Sequence, residues 1–150
     1  MKLELLAPLV YVEDRSLRAF EPAAAELAGG ETLFLFEIDP VQGLSIEPDT
    51  ALFLGPLVFS GRAQEEGPGR ELPAGRYLFA QQRRLLNREE CIQMAVELQK
   101  DGLWERLRPE PYLYLRFLTE DGRRVSQAFR PYGDEATTVN KLKEGSANGR

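Results

Sequence analysis

The chain has no histidine and one cysteine in 150 residues. Without an imidazole it lacks the commonest general base near neutral pH and the commonest nitrogen ligand for metals. A single thiol, Cys91, cannot complete a zinc site of nitrogen and sulfur ligands within one chain, nor an internal disulfide. Catalysis of the Ser-His-Asp or Cys-His kind is excluded for the same reason. Carboxylate-only magnesium or calcium sites stay open, but there is no D-x-D-x-D-G loop and no P-loop. No cofactor is expected. Any chemistry must come from carboxylates, tyrosines, lysines or the backbone.

Basic surplus is missing too. The 19 lysines and arginines are outnumbered by 24 acidic residues, for a net charge of −5. Binding a phosphate backbone needs a basic face, so no nucleic-acid partner is expected for this chain alone. No apolar run approaches the roughly 18 residues of a membrane-spanning helix. Glu4 interrupts the apolar start before it could act as a signal peptide. No membrane association is therefore expected, and a cytoplasmic location fits the solitary cysteine. Length and composition suit one domain.

What is present is best organised between Glu71 and Tyr132. Leu72 to Gln81 begins with a Pro-Ala-Gly turn and continues through Tyr77, Leu78 and Phe79, residues that favour a pleated, half-buried surface. A helix should follow. Asn87 is placed to cap it, with Glu90 three residues later, and Leu86 and Cys91 are spaced as a hydrophobic staple. Cys91, Ala95 and Leu98, flanked by Ile92 and Met94, give its buried stripe, and Gly102 suits the left-handed residue that ends it. Pro111 then opens the strand PYLYLRFL, and Glu120-Asp121-Gly122 turns it into RRVSQAFR.

The first half reads in the same order. Leu3 to Val12 is strand-like, with Pro8 implying an edge or a bulge. Asp14 or Ser16 can cap a helix carrying Leu17, Phe20, Ala24 and Leu27, kinked or restarted at Pro22. Thr32 to Ile38 is a strand, Asp39 to Asp49 a loop, and Thr50 to Ser60 a strand broken near Gly55-Pro56. Laying Leu6 on Leu72 and Tyr11 on Tyr77 suggests an internal repeat. The expected fold is α+β: duplicated β-α-β-β modules (about 3–60 and 71–132) in one domain of residues 1–132, an antiparallel sheet with two helices on one face and a concave groove on the other, then a polar tail, 133–150.

That order, with Leu72-Pro73-Ala74-Gly75-Arg76-Tyr77 opening the second half and Pro111-Tyr112-Leu113-Tyr114-Leu115 in a later strand, resembles the GyrI-like family. Its members are effector-binding domains of multidrug-sensing MerR- and AraC-type regulators, and also stand-alone proteins. Many carry a glutamate in the strand matched by PYLYLRF, where it faces a cationic ligand. Here tyrosines stand in that strand and Glu110 immediately precedes it. The resemblance implies a small-molecule binding protein for a hydrophobic or cationic drug-like ligand, related to transcription regulators but without its own DNA-binding region.

Aromatic rings offer flat contact area, and their faces attract cations. The candidate ligand-binding residues are Tyr77, Phe79, Trp104, Glu110, Tyr112 and Tyr114. Each has an ordinary alternative: tyrosines that cover a helix, a tryptophan in the core, a glutamate in a solvated loop. Cys91 reads as a small apolar filler, although a thiol near a helix start can be activated. Three functions follow: a binding module without catalysis, a hydrolase of a reactive small molecule using a pocket carboxylate, and a protein-interaction module. Partners are then a small-molecule ligand, with room for a homodimer or a separate regulator.

Overall fold

A computed structural model of the chain describes residues 1–17, 20, 22, 30–63 and 69–134. Its strands are β1 (Lys2–Leu5), β2 (Leu9–Glu13), β3 (Thr32–Ile38), β4 (Leu54–Ala63), β5 (Gly69–Leu72), β6 (Gly75–Gln82), β7 (Leu107–Pro109), β8 (Tyr112–Glu120) and β9 (Arg123–Asp134). One α-helix, α1 (Arg88–Trp104), is described in full. Every strand pairing is antiparallel along the path β1-β6-β9-β8-β3-β4-β2-β5, with β7 added to β9. The class is α+β, with the sheet curled into a half-barrel.

Strand alternation explains the curl. On one face Phe34, Phe36 and Ile38 of β3 join Leu113, Leu115 and Phe117 of β8 and receive Cys91, Ala95 and Leu98 of α1. Phe20 closes this core edge-on against Phe34 and Phe36, at 5.1 and 5.2 Å between ring centroids. The opposite face carries Leu33, Leu35, Tyr114, Phe129, Tyr77 and Phe79. Leu3 and Leu5 reach that same cluster from one end of the path, and Leu9 and Leu72 from the other. Two ends of a sheet can share one apolar cluster only by bending toward each other.

The helix begins as its sequence dictates. Asn87 accepts a hydrogen bond from the Glu90 amide (2.8 Å), and the Glu90 carboxylate accepts one from the Asn87 amide (3.1 Å). Leu86 and Cys91 are buried in one cluster as the expected staple. Its end differs from expectation. Gly102 lies within the helix and Arg106, at φ 61°, takes the left-handed position instead. The glycine is needed for packing, since a Cβ there would stand 2.5 Å from Leu78 Cδ1. Trp104 consequently belongs to the last helical turn. The β8–β9 hairpin turns through Asp121 (φ 51°) and Gly122 (φ 76°), the two left-handed residues of a type I′ turn.

Three expectations are corrected. The segment Leu3 to Val12 is not one strand: it divides into β1 and β2 around Leu6–Pro8, and β1 takes the edge of the sheet. Proline cannot donate to the ladder, so the chain leaves the sheet there and re-enters on another partner. The strand expected from Thr50 begins only at Leu54, because Asp49 caps a turn by accepting from the Ala51 amide. Most importantly, the described residues do not show two matched β-α-β-β modules with two helices on one face. Directly after Asp14 comes a 3-10 turn, Arg15–Leu17, and the rest of the expected first helix lies mostly outside the described residues, as does most of the tail.

Arg130 ties these parts together. Its side chain is 1% exposed. Nε donates to the Glu110 carbonyl (2.6 Å), Nη1 to Gln99 Oε1 of α1 (2.5 Å) and Nη2 to the Gly43 carbonyl (3.2 Å). Gln99 in turn donates to the carbonyls of Gln42 and Ser45 (2.7 Å each). Helix, Asp39–Ser45 loop and β7–β8 linker are thus held by one guanidinium.

Replacing Asn87 with alanine should cost about 1 kcal/mol in urea denaturation, the usual value of an N-cap, with an unchanged dependence on urea concentration. Arg130→Met should cost at least about 2 kcal/mol, because three buried oxygens lose their donor. A neutral effect in the same assay would show that the guanidinium does not hold the three segments.

Candidate functional site

The aromatic face of the sheet is not an empty groove. Tyr77 meets Tyr114 and Phe129 edge to face, with centroids 6.3 and 5.7 Å apart, and Phe79 packs on Phe129 at 5.0 Å. These rings fill the middle of the half-barrel, which corrects the expectation of an open concave surface. At one end a polar network takes over. Arg116 reaches both carboxylate oxygens of Glu31 (3.1 and 2.9 Å) and Gln127 Oε1 (3.0 Å), Gln127 donates to Gln81, and Tyr11 donates its hydroxyl to Glu31. The inner face of β8 therefore runs from Tyr112 through Tyr114 to Arg116.

The other end is open. A hollow of about 260 Å³ is walled by Tyr77, Tyr112, Tyr114 and Glu110, with the Pro73–Arg76 turn, Pro131 and Tyr132 completing it. Four of the six residues singled out in the sequence meet here. Tyr77 is 2% exposed, Tyr114 9% and Tyr112 43%, so the hollow is the outer margin of the aromatic core. Tyr77 donates its hydroxyl to the Pro73 carbonyl, which fixes the turn against the ring. Burial is the main cause that holds the phenol of Tyr77 well above the ordinary tyrosine range and raises that of Tyr114. The nearby Glu110 charge pushes both in the same direction, while Arg70 acts against it on Tyr114.

Glu110 is placed by its backbone. Its amide donates to the Pro131 carbonyl (2.8 Å) and its carbonyl accepts from Arg130. The side chain is exposed, and among the described residues it makes no ion pair. Beside it the Arg76 guanidinium lies over the Tyr132 ring, 5.4 Å from the centroid. Arg76 and Tyr132 were not singled out as site residues. Arg76 stands inside the Leu72–Tyr77 motif and could have been found there, whereas nothing in the sequence marks Tyr132, the ring it covers.

The remaining two candidates lie elsewhere. Trp104 is 81% exposed at the end of α1 and does not line this hollow. Phe79 sits deeper in the aromatic core and borders a second, larger groove of about 560 Å³ between α1 and the edge of β6. Two carboxylates of that groove, Glu90 and Glu97, pair with Arg84 and Lys100, while Glu89 and Asp101 line it without an ion pair among the described residues. The second groove is larger, but the carboxylate set among several aromatic rings favours the first.

No cluster of three or more histidine, cysteine, aspartate or glutamate side chains suited to a metal occurs among the described residues. No helix among them is long and apolar enough to cross a membrane. Cys91 is fully buried, and burial pushes its thiol up to about 12. At pH 8 it should resist a thiol-specific disulfide reagent in the native protein and react at the rate of unfolding, which a parallel urea series would check. The thiolate is available in the unfolded chain above its usual pKa of about 8.5, so this burial contributes stability that declines as pH rises from there toward 12.

The chain matches no known protein-family model and no curated protein.

Proposed function

We propose that the protein is a small-molecule binding module that takes an organic cation in the tyrosine-walled hollow. The observation that carries this reading is the Glu110 carboxylate, which has no ion-pair partner among the described residues and stands beside Tyr77, Tyr112 and Tyr114. A cation placed there gains a charge partner and aromatic faces together, and a desolvated cation–π contact contributes about 2 kcal/mol. Arg76 over Tyr132 supports the chemistry, since a ring of this hollow already carries a guanidinium on its face. The volume is below the range of about 300–1,000 Å³ common for drug-sized ligands. It suits an ammonium head group whose apolar remainder lies along exposed Tyr112.

The GyrI-like reading is supported by the same wall. Pro73, Ala74, Gly75, Arg76 and Tyr77, the residues of the family-like motif, form one side of the hollow, and Tyr112 and Tyr114 form another. Hydrolysis is less well supported, because an exposed carboxylate is not the desolvated base that such chemistry needs.

The test is a thermal-shift screen against lipophilic ammonium compounds, neutral aromatics and carboxylates. A cation at one hundred times its dissociation constant should stabilise the protein by about 2.7 kcal/mol. Glu110→Gln and Tyr112→Ala should each remove most of that shift while leaving the unliganded melting temperature nearly unchanged, since both side chains are exposed. Cation shifts that survive Glu110→Gln would overturn the reading. Consumption of the bound compound during incubation would identify an enzyme instead.

A further inference from the structure

A different feature lies on the far side of the β7–β8 linker. Arg130 is buried, yet among the described residues it holds neutral oxygens alone, those of Glu110, Gln99 and Gly43. A guanidinium has five N–H donors, and three are engaged here. No carboxylate among the described residues forms an ion pair with it. Removing a cation from water without a counter-charge costs several kcal/mol, so this is a place where an anion would be strongly favoured.

Arg130 lines a cavity of about 240 Å³ between the Asp39–Leu44 loop and β7, with Arg108, Pro109 and Pro111. Leu44 and Arg108 also line an adjoining cavity of about 320 Å³, completed by Leu103, Arg106 and Leu107. The shared residues make these two parts of one groove. It presents three arginines, and its apolar surface comes from leucine and proline. Among the described residues neither Arg106 nor Arg108 forms an ion pair. The lining acid, Asp39, has Oδ1 engaged by the amides of Val41 and Gln42 (3.0 Å each), where it shapes the loop.

We infer that this groove is a binding site for an amphiphilic organic carboxylate, its head group held by Arg130 and Arg108 and its apolar chain lying along Leu44, Leu103 and Leu107. Guanidinium groups match a carboxylate in shape as well as charge, through paired N–H donors. Inorganic anions would use the arginines and leave the leucines uncovered. The site is separate from the tyrosine hollow, because Glu110 turns its carbonyl toward Arg130 and its side chain toward the rings.

Calorimetric titration of the full chain with octanoate, octanamide and inorganic phosphate at low salt tests this assignment. Octanoate should bind, with octanamide at least about tenfold weaker, the factor expected for one charge-assisted interaction of roughly 1.5 kcal/mol, and phosphate at least about tenfold weaker because it leaves the leucines uncovered. Arg108→Met should weaken octanoate by a similar factor. Because Arg108 is exposed, this variant should fold like the parent, which its melting curve would verify. Glu110→Gln should leave octanoate binding unchanged, so failure of the cation site and failure of this one are told apart. Absence of octanoate binding, equal binding of octanamide or phosphate, or indifference to Arg108→Met would each overturn the inference.

Discussion

A buried guanidinium with no carboxylate partner among the described residues is the constraint on which the arrangement of this molecule depends. Moving such a charge out of water is expensive, and among the described residues neutral oxygens and the face of Phe53, 5.9 Å away, offset the cost. Burial pushes Arg130 down to about 10, still well above neutral pH, so the residue keeps its charge in the folded protein. Its partners belong to three segments that have no regular ladder between them: the Asp39–Ser45 loop, α1, and the linker before β8. Planar geometry lets one side chain address all three. A lysine would carry the charge but not the directions.

The second organising feature is period-two alternation carried through a sheet that bends. Both faces of β3 and β8 are buried, so both must find cover. One face is covered by α1 and Phe20. Among the described residues no helix covers the other, which is closed by the two ends of the strand path and filled with aromatic rings. Rings near the centre are locked edge to face, and those near the margin are increasingly exposed, from Tyr77 through Tyr114 to Tyr112. The hollow is therefore not an independent construction. It is the place where an aromatic core reaches water, which is why its walls are tyrosines: Tyr77 and Tyr114 bury their rings, Tyr112 stands at the exposed margin, and Tyr77 satisfies its hydroxyl on the Pro73 carbonyl.

Local chemistry was legible in the sequence where it decides structure by itself. Asn87 and Glu90 start α1, Asp121-Gly122 makes the tight hairpin, and alternation places Tyr112 and Tyr114 opposite Leu113 and Leu115. Tyr77, Tyr112, Tyr114 and Glu110 belong to the two motifs that carry the family resemblance, and they meet in the fold because β6 and β8 both flank β9. Long-range packing was not legible. Gly102 has the letter of a helix stop, but its missing side chain is used by Leu78 of a distant strand. Trp104 reads as core or pocket rim because tryptophan is usually well covered, yet the helix extends far enough to leave it in solvent. Phe79 alternates correctly with Tyr77 but lies deeper under Phe129. Arg130 reads as one more polar residue of a hairpin. Its burial follows from the loop and helix that fold over it.

Glu110 shows how opposite charges can remain close without cancelling. Its side chain and the Arg130 guanidinium meet at one residue, and an ion pair between them would have been the simplest way to reduce the burial cost. The backbone is held otherwise. The Glu110 amide is fixed to Pro131 and the carbonyl to Arg130 Nε, so the two peptide planes that flank its Cα are both held. With those planes held, the side chain lines the hollow with Tyr77, Tyr112 and Tyr114, and the guanidinium remains on the side of Gly43, Gln99 and Arg108. The same two bonds that stabilise the linker thus keep a negative charge at one cavity and a positive charge at the next.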